Sequence, residues 1–267
     1  MIPKRPLNRY GRIIQRIFEL HHQPGKEEVT FDREEIIDIA RELGIKLPKN
    51  IGDVIYSFRY RSPLPAAIIA LAGEGKHWII RPAGRARYRL VAVAETNIAP
   101  HPALVETRVP DATPGVIAMY ALGDEQALLA KLRYNRLIDM FTGVVCYSLQ
   151  SHLRTTVPGM GQIEADEIYV GIDRRGAHYV FPVEAKSARE NLGIVQVEQL
   201  FALCEARFGG LLCRPIGAQS MEDDLIALFE FEKTGQGVRV SAEKHYRLVP
   251  PDDLSPAELA AYARRTD

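Results

Sequence analysis

Glu184 and Lys186 stand two residues apart at the end of a strand-forming run, HYVFPVEAK, residues 178 to 186. Residues i and i+2 of a strand share a face, so this carboxylate and this amine lie side by side. Upstream, QIEADEIYVGI (162–172) has the alternation of a second strand. Glu164, Asp166 and Ile168 fall on one face, and Ile163, Ala165, Glu167 and Tyr169 on the other. The turn DRRGA separates the two runs, so the strands are expected to pair and Asp166 to meet Glu184 near the sheet end. Two adjacent carboxylates repel each other unless a cation neutralises them. A hard divalent metal with oxygen ligands does this, and a lysine beside it holds or activates a water, or offsets charge on a phosphate. The plain alternative is an i, i+2 ion pair on a solvated strand end.

The flanking elements decide between these. A helix is expected over about 115–139, followed by a strand in VVCYSLQSHLRTTV (144–157) and the turn PGMG. With QIEADEIYVGI and HYVFPVEAKS this makes an antiparallel meander. IVQVEQLFALCEARF (194–208) has helical spacing, with apolar residues at 194, 195, 197, 200, 201 and 203. GLLCRPIGAQS and DLIALFEFEKT read as two more strands, and VSAEKHYRLV as a third. Helix, three strands, helix, strand is an α/β core.

With the elements in this order, Asp166 followed after 18 residues by Glu184-Ala185-Lys186 resembles the PD-(D/E)xK nuclease superfamily, the fold of many type II restriction endonucleases. The resemblance covers about 115–232. Ala165 stands where a proline often precedes the acid, and Asp173 is a rival acid whose place in a turn suits turn chemistry better. The resemblance implies a restriction-endonuclease-like mixed sheet flanked by helices, and Mg²⁺-dependent hydrolysis of phosphodiesters. Asp166 and Glu184 would be metal ligands together with the Ala185 carbonyl, and Lys186 would position the attacking water. It also implies a further acid from the preceding helix, for which Glu125 is the candidate, and a glutamine from the following helix, Gln196 or Gln199, with Gln199 taken forward.

The first ninety residues read as a separate module. RYGRIIQRIFELHH is a helix by its apolar spacing; FDREEIIDIARELGI is a second, with Asp32 as N-cap, Glu35 three residues on and Gly44 as stop. PKNIGDVIYSFRYR is a third, and β-rich runs with Gly-rich turns follow. Three helices and a β-hairpin is the order of a winged helix-turn-helix. The chain's net charge is zero, yet between Lys46 and Leu90 nine basic residues face two acids, a local charge of +7. Basic residues beside aromatics on the third helix and hairpin make Arg59, Arg61, Lys76, Arg81, Arg85 and Arg87 candidate contacts to double-stranded DNA. Trp78 reads as packing of the hairpin. His21 and His22 close the first helix, and the other five histidines lack ligand spacing.

The expected division is a winged-helix domain over 1–94, a linker over 95–114, where four prolines fall, and a nuclease domain over 115–267. Cys146, Cys204 and Cys213 form no CxxC pair and read as buried thiols. No apolar run reaches about 18 residues, and the basic N-terminus lacks a signal-peptide core, so a cytoplasmic protein without a membrane partner is expected. A type II restriction enzyme is the leading expectation. The resemblance implies a homodimer, suited to a two-fold DNA site, and a cognate DNA methyltransferase as functional partner. A repair, junction or defence nuclease of the same superfamily is one alternative. A winged-helix transcription regulator with an inert C-terminal domain is the other.

Overall fold

The computed structural model describes residues 7–60, 62–94, 97–121, 125–222, 224–235 and 237–265. The chain divides into two compact units, Met1–Thr96 with Thr156–Gln162, and Asn97–Thr155 with Ile163–Asp267. No helix among the described residues is long and apolar enough to cross a membrane.

The first unit runs α1 (Arg9–His21), β1 (Glu28–Asp32), α2 (Arg33–Glu42), α3 (Gly52–Tyr60), α4 (Ala66–Ile69), β2 (His77–Pro82) and β3 (Arg87–Val93). Asn8 caps α1 by accepting from the Gly11 N–H at 2.7 Å. The α1 stripe Ile13, Ile14, Ile17 and Phe18 is buried against Ile36, Ile39, Phe31, Ile80 and Leu90. The expected capping box holds, for the Asp32 N–H donates to Glu35 Oε1 at 2.8 Å. Gly44 stops the second helix in the left-handed region, φ 63°. Trp78 packs edge-on to Phe18 at 5.0 Å, as expected of a packing residue. The three strands pair antiparallel in the order β1-β3-β2. Strand β1 is an element that the sequence pattern did not single out.

The second unit is a mixed α/β structure. It runs β4 (Asn97–Ile98), β5 (Glu106–Pro110), α5 (Gly115–Tyr120), α6 (Glu125–Tyr134), α7 (Leu137–Thr142), β6 (Val145–Val157), β7 (Gly161–Ile172), β8 (His178–Lys186) and β9 (Leu192–Gly193). It continues with α8 (Ile194–Arg207), β10 (Leu212–Cys213), β11 (Ile216–Ser220), β12 (Leu225–Thr234), β13 (Gly237–Val249), a 3₁₀ turn Pro251–Asp253 and α9 (Pro256–Tyr262). Eight strands form one mixed sheet, with β10 beside β8 and the others in the order β5-β13-β12-β11-β8-β7-β6. The meander β6-β7-β8 is as expected. Strand β11 then joins parallel to β8 through the α8 crossover.

Two expectations are corrected. The linker expected over 95–114 holds β5, which pairs in parallel with β13 from His245↔Glu106 to Val249↔Pro110. The single helix expected over 115–139 is three helices. Asn135 turns its side chain to Lys131 O, Asp111 and Ala112 N, and Arg136 adopts φ 52°, which ends the α6 hydrogen-bond ladder. Asp173 proves to be a turn builder, accepting from the Arg175 and Ala177 N–H groups at 2.8 and 2.9 Å.

Strand β8 lies between β7 and β11 and is buried from Tyr179 to Ala185, which accounts for its near-continuous apolar run. A proline inside such a strand needs an explanation. The Ala185 N–H points towards β7, so by alternation the missing N–H of Pro182 belongs on the opposite side. There the neighbouring strand is interrupted, with β10 pairing at Tyr179 and Val180 and β11 starting at Val183. The ladder loses no bond at that point.

Candidate active site

The β7–β8 ladder ends with Glu167 opposite Val183. The next residues outward are Asp166 and Glu184. The Ala185 N–H has no strand carbonyl to meet beyond that end, and the Asp166 carboxylate takes its place, accepting at Oδ2 over 2.7 Å. N–H and C=O of one strand residue point to the same side, so the Ala185 carbonyl is also directed past the ladder end. The sequence-predicted pair is thus brought together, with the backbone between Glu184 and Lys186 as the clasp.

Lys186 reaches both other acids. Its Nζ lies 2.9 Å from Glu184 Oε1 and 3.2 Å from Glu125 Oε1, at the first residue of α6. The expected acid from the preceding helix is therefore in place. Gln196 is the glutamine that meets the site. Its Oε1 accepts the Gly193 N–H at 3.2 Å, which fixes the amide so that Nε2 donates to Glu184 Oε1. Gln199 is buried one turn further along α8. The signal for choosing Gln196 was its place three residues after Gly193, where a side chain folds back on the helix start.

Three carboxyl groups gather around one ammonium, so the site is short of positive charge. Burial, reinforced by Asp166, pushes Glu184 up to about 8. Burial also raises Asp166, although the Ala185 N–H and Lys186 pull the other way. For Lys186, burial favours the neutral amine, but Glu184, Glu125 and Asp166 overcome it and hold the ammonium well above its ordinary value. Glu184 is 6% exposed, so its unbalanced charge has little water to lean on. Beside these groups lies an open pocket lined by Glu125, Gln126, Ser187 and Glu190.

Among the described residues no group of three or more His, Cys, Asp or Glu side chains is arranged to hold a metal ion. The ammonium of Lys186 lies between Glu184 and Glu125. The donors nevertheless suit a hard divalent ion in kind: buried carboxylates, an excess of negative charge and a backbone carbonyl on the same side. Glu164 stands apart, bound by Arg154 at 2.7 and 3.0 Å. Glu167, on the opposite face, is wholly buried and held by Arg133 at 2.8 Å and Ser148 at 2.5 Å.

The candidate DNA contacts in the first unit are less free than the sequence suggests. Arg59 Nε donates to the Ile80 carbonyl at 3.0 Å, tying α3 to β2. Lys76 pairs with Glu27, Arg87 with Asp32 at 2.9 Å, and Arg89 with Glu28 at 3.7 Å. Arg81 is half-buried opposite Arg89 in the β2–β3 register. Arg85 is exposed at the hairpin turn with no ion-pair partner among the described residues. Arg61 lies outside the described residues. The count of +7 missed three acids upstream of its window, Glu28 and Asp32, which the β1–β3 pairing brings against it, and Glu27, which pairs with Lys76. No protein-family model, curated protein or solved structure matches the chain.

Proposed function

We propose that this protein is a Mg²⁺-dependent endonuclease of double-stranded DNA, of the PD-(D/E)xK kind, with sequence specificity of the type II restriction class. The observation that carries the reading is the clasp itself. Asp166 is bonded to the backbone N–H between Glu184 and Lys186, at the open end of a buried central strand, with Glu125 and Gln196 closing on the same groups. An ion pair left on a solvated strand end needs neither the burial of Glu184 nor a second strand's carboxylate.

Asp166 and Glu184, with the Ala185 carbonyl, would hold the metal. When bound, a divalent ion there would supply Lewis-acid activation of water and offset charge building on the phosphate. Gln196 orients Glu184. Lys186, kept protonated by three acids, holds the attacking water and faces the phosphate as a fixed positive charge. Glu125 keeps Lys186 directed at the site.

The topology supports the same reading. Helix α6, meander β6-β7-β8, crossover α8 and parallel β11 follow the order expected of a restriction-endonuclease-like core. In the first unit, α1-β1-α2-α3 followed by the β2–β3 hairpin supports a winged helix-turn-helix that binds duplex DNA, with a homodimer matching a two-fold site and a cognate methyltransferase protecting the host DNA. A transcription regulator has no use for the acid cluster.

The test is incubation with long duplex DNA in Mg²⁺ and in EDTA. Discrete fragments that need Mg²⁺ are expected; a smear would favour a non-specific nuclease of the same superfamily. Asp166→Asn keeps an oxygen for the Ala185 N–H and removes the charge. It should cut at least about 10²-fold more slowly while DNA binding survives. Undiminished cutting would remove Asp166 from the site.

A further inference from the structure

We propose that His152 hands a proton to the leaving oxygen when a phosphodiester is hydrolysed at the Asp166–Glu184–Lys186 site, an inference that rests on the nuclease reading above. His152 lies within β6, yet its φ is 50°, a left-handed conformation inside a strand. Such a conformation is strained for a non-glycine residue and persists where the surroundings over-determine it. The imidazole meets the start of α6 at Gln126, which lines the same pocket as Glu125. Nε2 lies 2.7 Å from Gln126 Nε2, next in sequence to Glu125, and Nδ1 lies 3.6 Å from Glu164 Oε1. The side chain is 48% exposed, so substrate and solvent can both reach it.

Cleavage expels an alkoxide, which needs a proton. Lys186 is a poor source, because three acids hold its proton. Asp166 and Glu184 serve better as ligands than as acids. The imidazole of His152 remains, a group that can both give and take a proton. The groups at the imidazole are Gln126 from α6 and Glu164 from β7, with Asp166 of β7 within electrostatic reach and Arg154 of its own strand bound to Glu164 at 2.7 Å. The Gln126 amide NH₂ can only donate, so in the neutral ring Nε2 accepts and the proton sits on Nδ1 beside Glu164. Protonation of Nε2 requires only that the exposed Gln126 amide turn its oxygen to the ring.

The step balances. Water adds its oxygen to phosphorus and releases a proton to solvent. The bond from phosphorus to the leaving oxygen breaks, with its electron pair going to that oxygen. The imidazolium gives its proton there and is recharged from solvent.

The experiment uses the full chain with Mg²⁺ and three duplexes, one ordinary and two with sulfur replacing either the O3′ or the O5′ bridging atom at the cut site. A thiolate leaves without a proton, since its pKa is near about 8.5. Asn tolerates the left-handed backbone and still hydrogen-bonds to Gln126, but it carries no acidic proton. His152→Asn should cut the ordinary duplex about 10²-fold more slowly and cut one of the sulfur duplexes within a few-fold of the unaltered protein. His152→Gly, which relieves the strain, should behave the same way and covers a folding defect in the Asn variant. Asp166→Asn should be slow on all three duplexes. Equal losses on oxygen and sulfur, or no loss on either, overturn the role of His152 while leaving the nuclease reading standing. An unaltered protein that cuts none of the three overturns both.

Discussion

A carboxyl group with about as little solvent around it as Glu184 has two ways to exist: keep its proton, or find a cation. Glu184 does some of each, sharing Lys186 with Glu125 and being pushed up to about 8 by burial and by Asp166. Its folded value lies above the roughly 4.3 of an unfolded glutamate, so its contribution to stability is full below that value. The contribution is lost as pH rises from about 4.3 through 8. The metal-free protein should therefore show a falling Tm across that window, and Glu184→Gln should flatten the fall, because an amide of the same shape has no proton to lose. Thermal denaturation in EDTA from pH 5 to about 8.5 measures it; equal slopes in both proteins would mean the charge is already neutralised. Mg²⁺ should act like the substitution on Tm and opposite to it on cutting. Asp166, Glu184 and Lys186 were legible in the sequence because strand alternation fixes their side. Gln196 was legible only as one of two glutamines, since what singles it out is the Gly193 N–H that its side chain accepts.

At the scale of elements, what positions the site is the end of β8, and the sequence shows this strand well and its neighbours unevenly. Turns rich in Gly and Asp mark the β6-β7-β8 meander, and its register follows from the DRRGA turn. The break between α6 and α7 was hidden because Asn135 and Arg136 carry no Gly or Pro signal. Their stop depends on Asp111 and Ala112, residues that only the fold brings near. Strand β5 was hidden for a similar reason: prolines flank it, and its partner β13 is more than a hundred residues away. On the other side of β8, Gly217 pairs with Glu184. A Cβ there would collide with Leu192 and crowd Phe231. Leu192 precedes Gly193, whose N–H holds Gln196 in line. Gly217→Ala should thus cost about 1–3 kcal/mol and slow cutting by loosening Gln196 from Glu184. Gly209→Ala, where the nearest atom is Glu205 O at 3.7 Å, is the control and should change neither. Denaturant melts and cleavage rates of the two variants check this. A Gly217→Ala protein with full activity would show that Gln196 does not depend on this packing.

For the whole molecule the question is how a chain with no net charge could bind a polyanion. The local excess between Lys46 and Leu90 suggested a basic face, but β1 runs antiparallel to β3 and sets its acids against the arginines. Asp32 lies opposite Arg87 in the register and is bonded to it, and Glu28 approaches Arg89. A window along the sequence cannot see a cross-strand pair. Among the described residues, Arg85 at the tip of the β2–β3 hairpin is exposed and has no such acid set against it. This makes two neighbouring arginines unequal. Arg85, exposed and without an ion pair among the described residues, should release a counterion when it meets a phosphate. Arg87, partly neutralised by Asp32, should release less. Binding to a fixed duplex in EDTA, measured against salt concentration, should therefore lose about one unit of slope in Arg85→Ala and a smaller amount in Arg87→Ala. Asp32→Asn should raise affinity and steepen the salt dependence by freeing Arg87, with little loss at the α2 N-terminus, where Asn caps about as well as Asp. If Arg85→Ala leaves the slope unchanged, the hairpin tip does not touch the backbone and the first unit binds through another face.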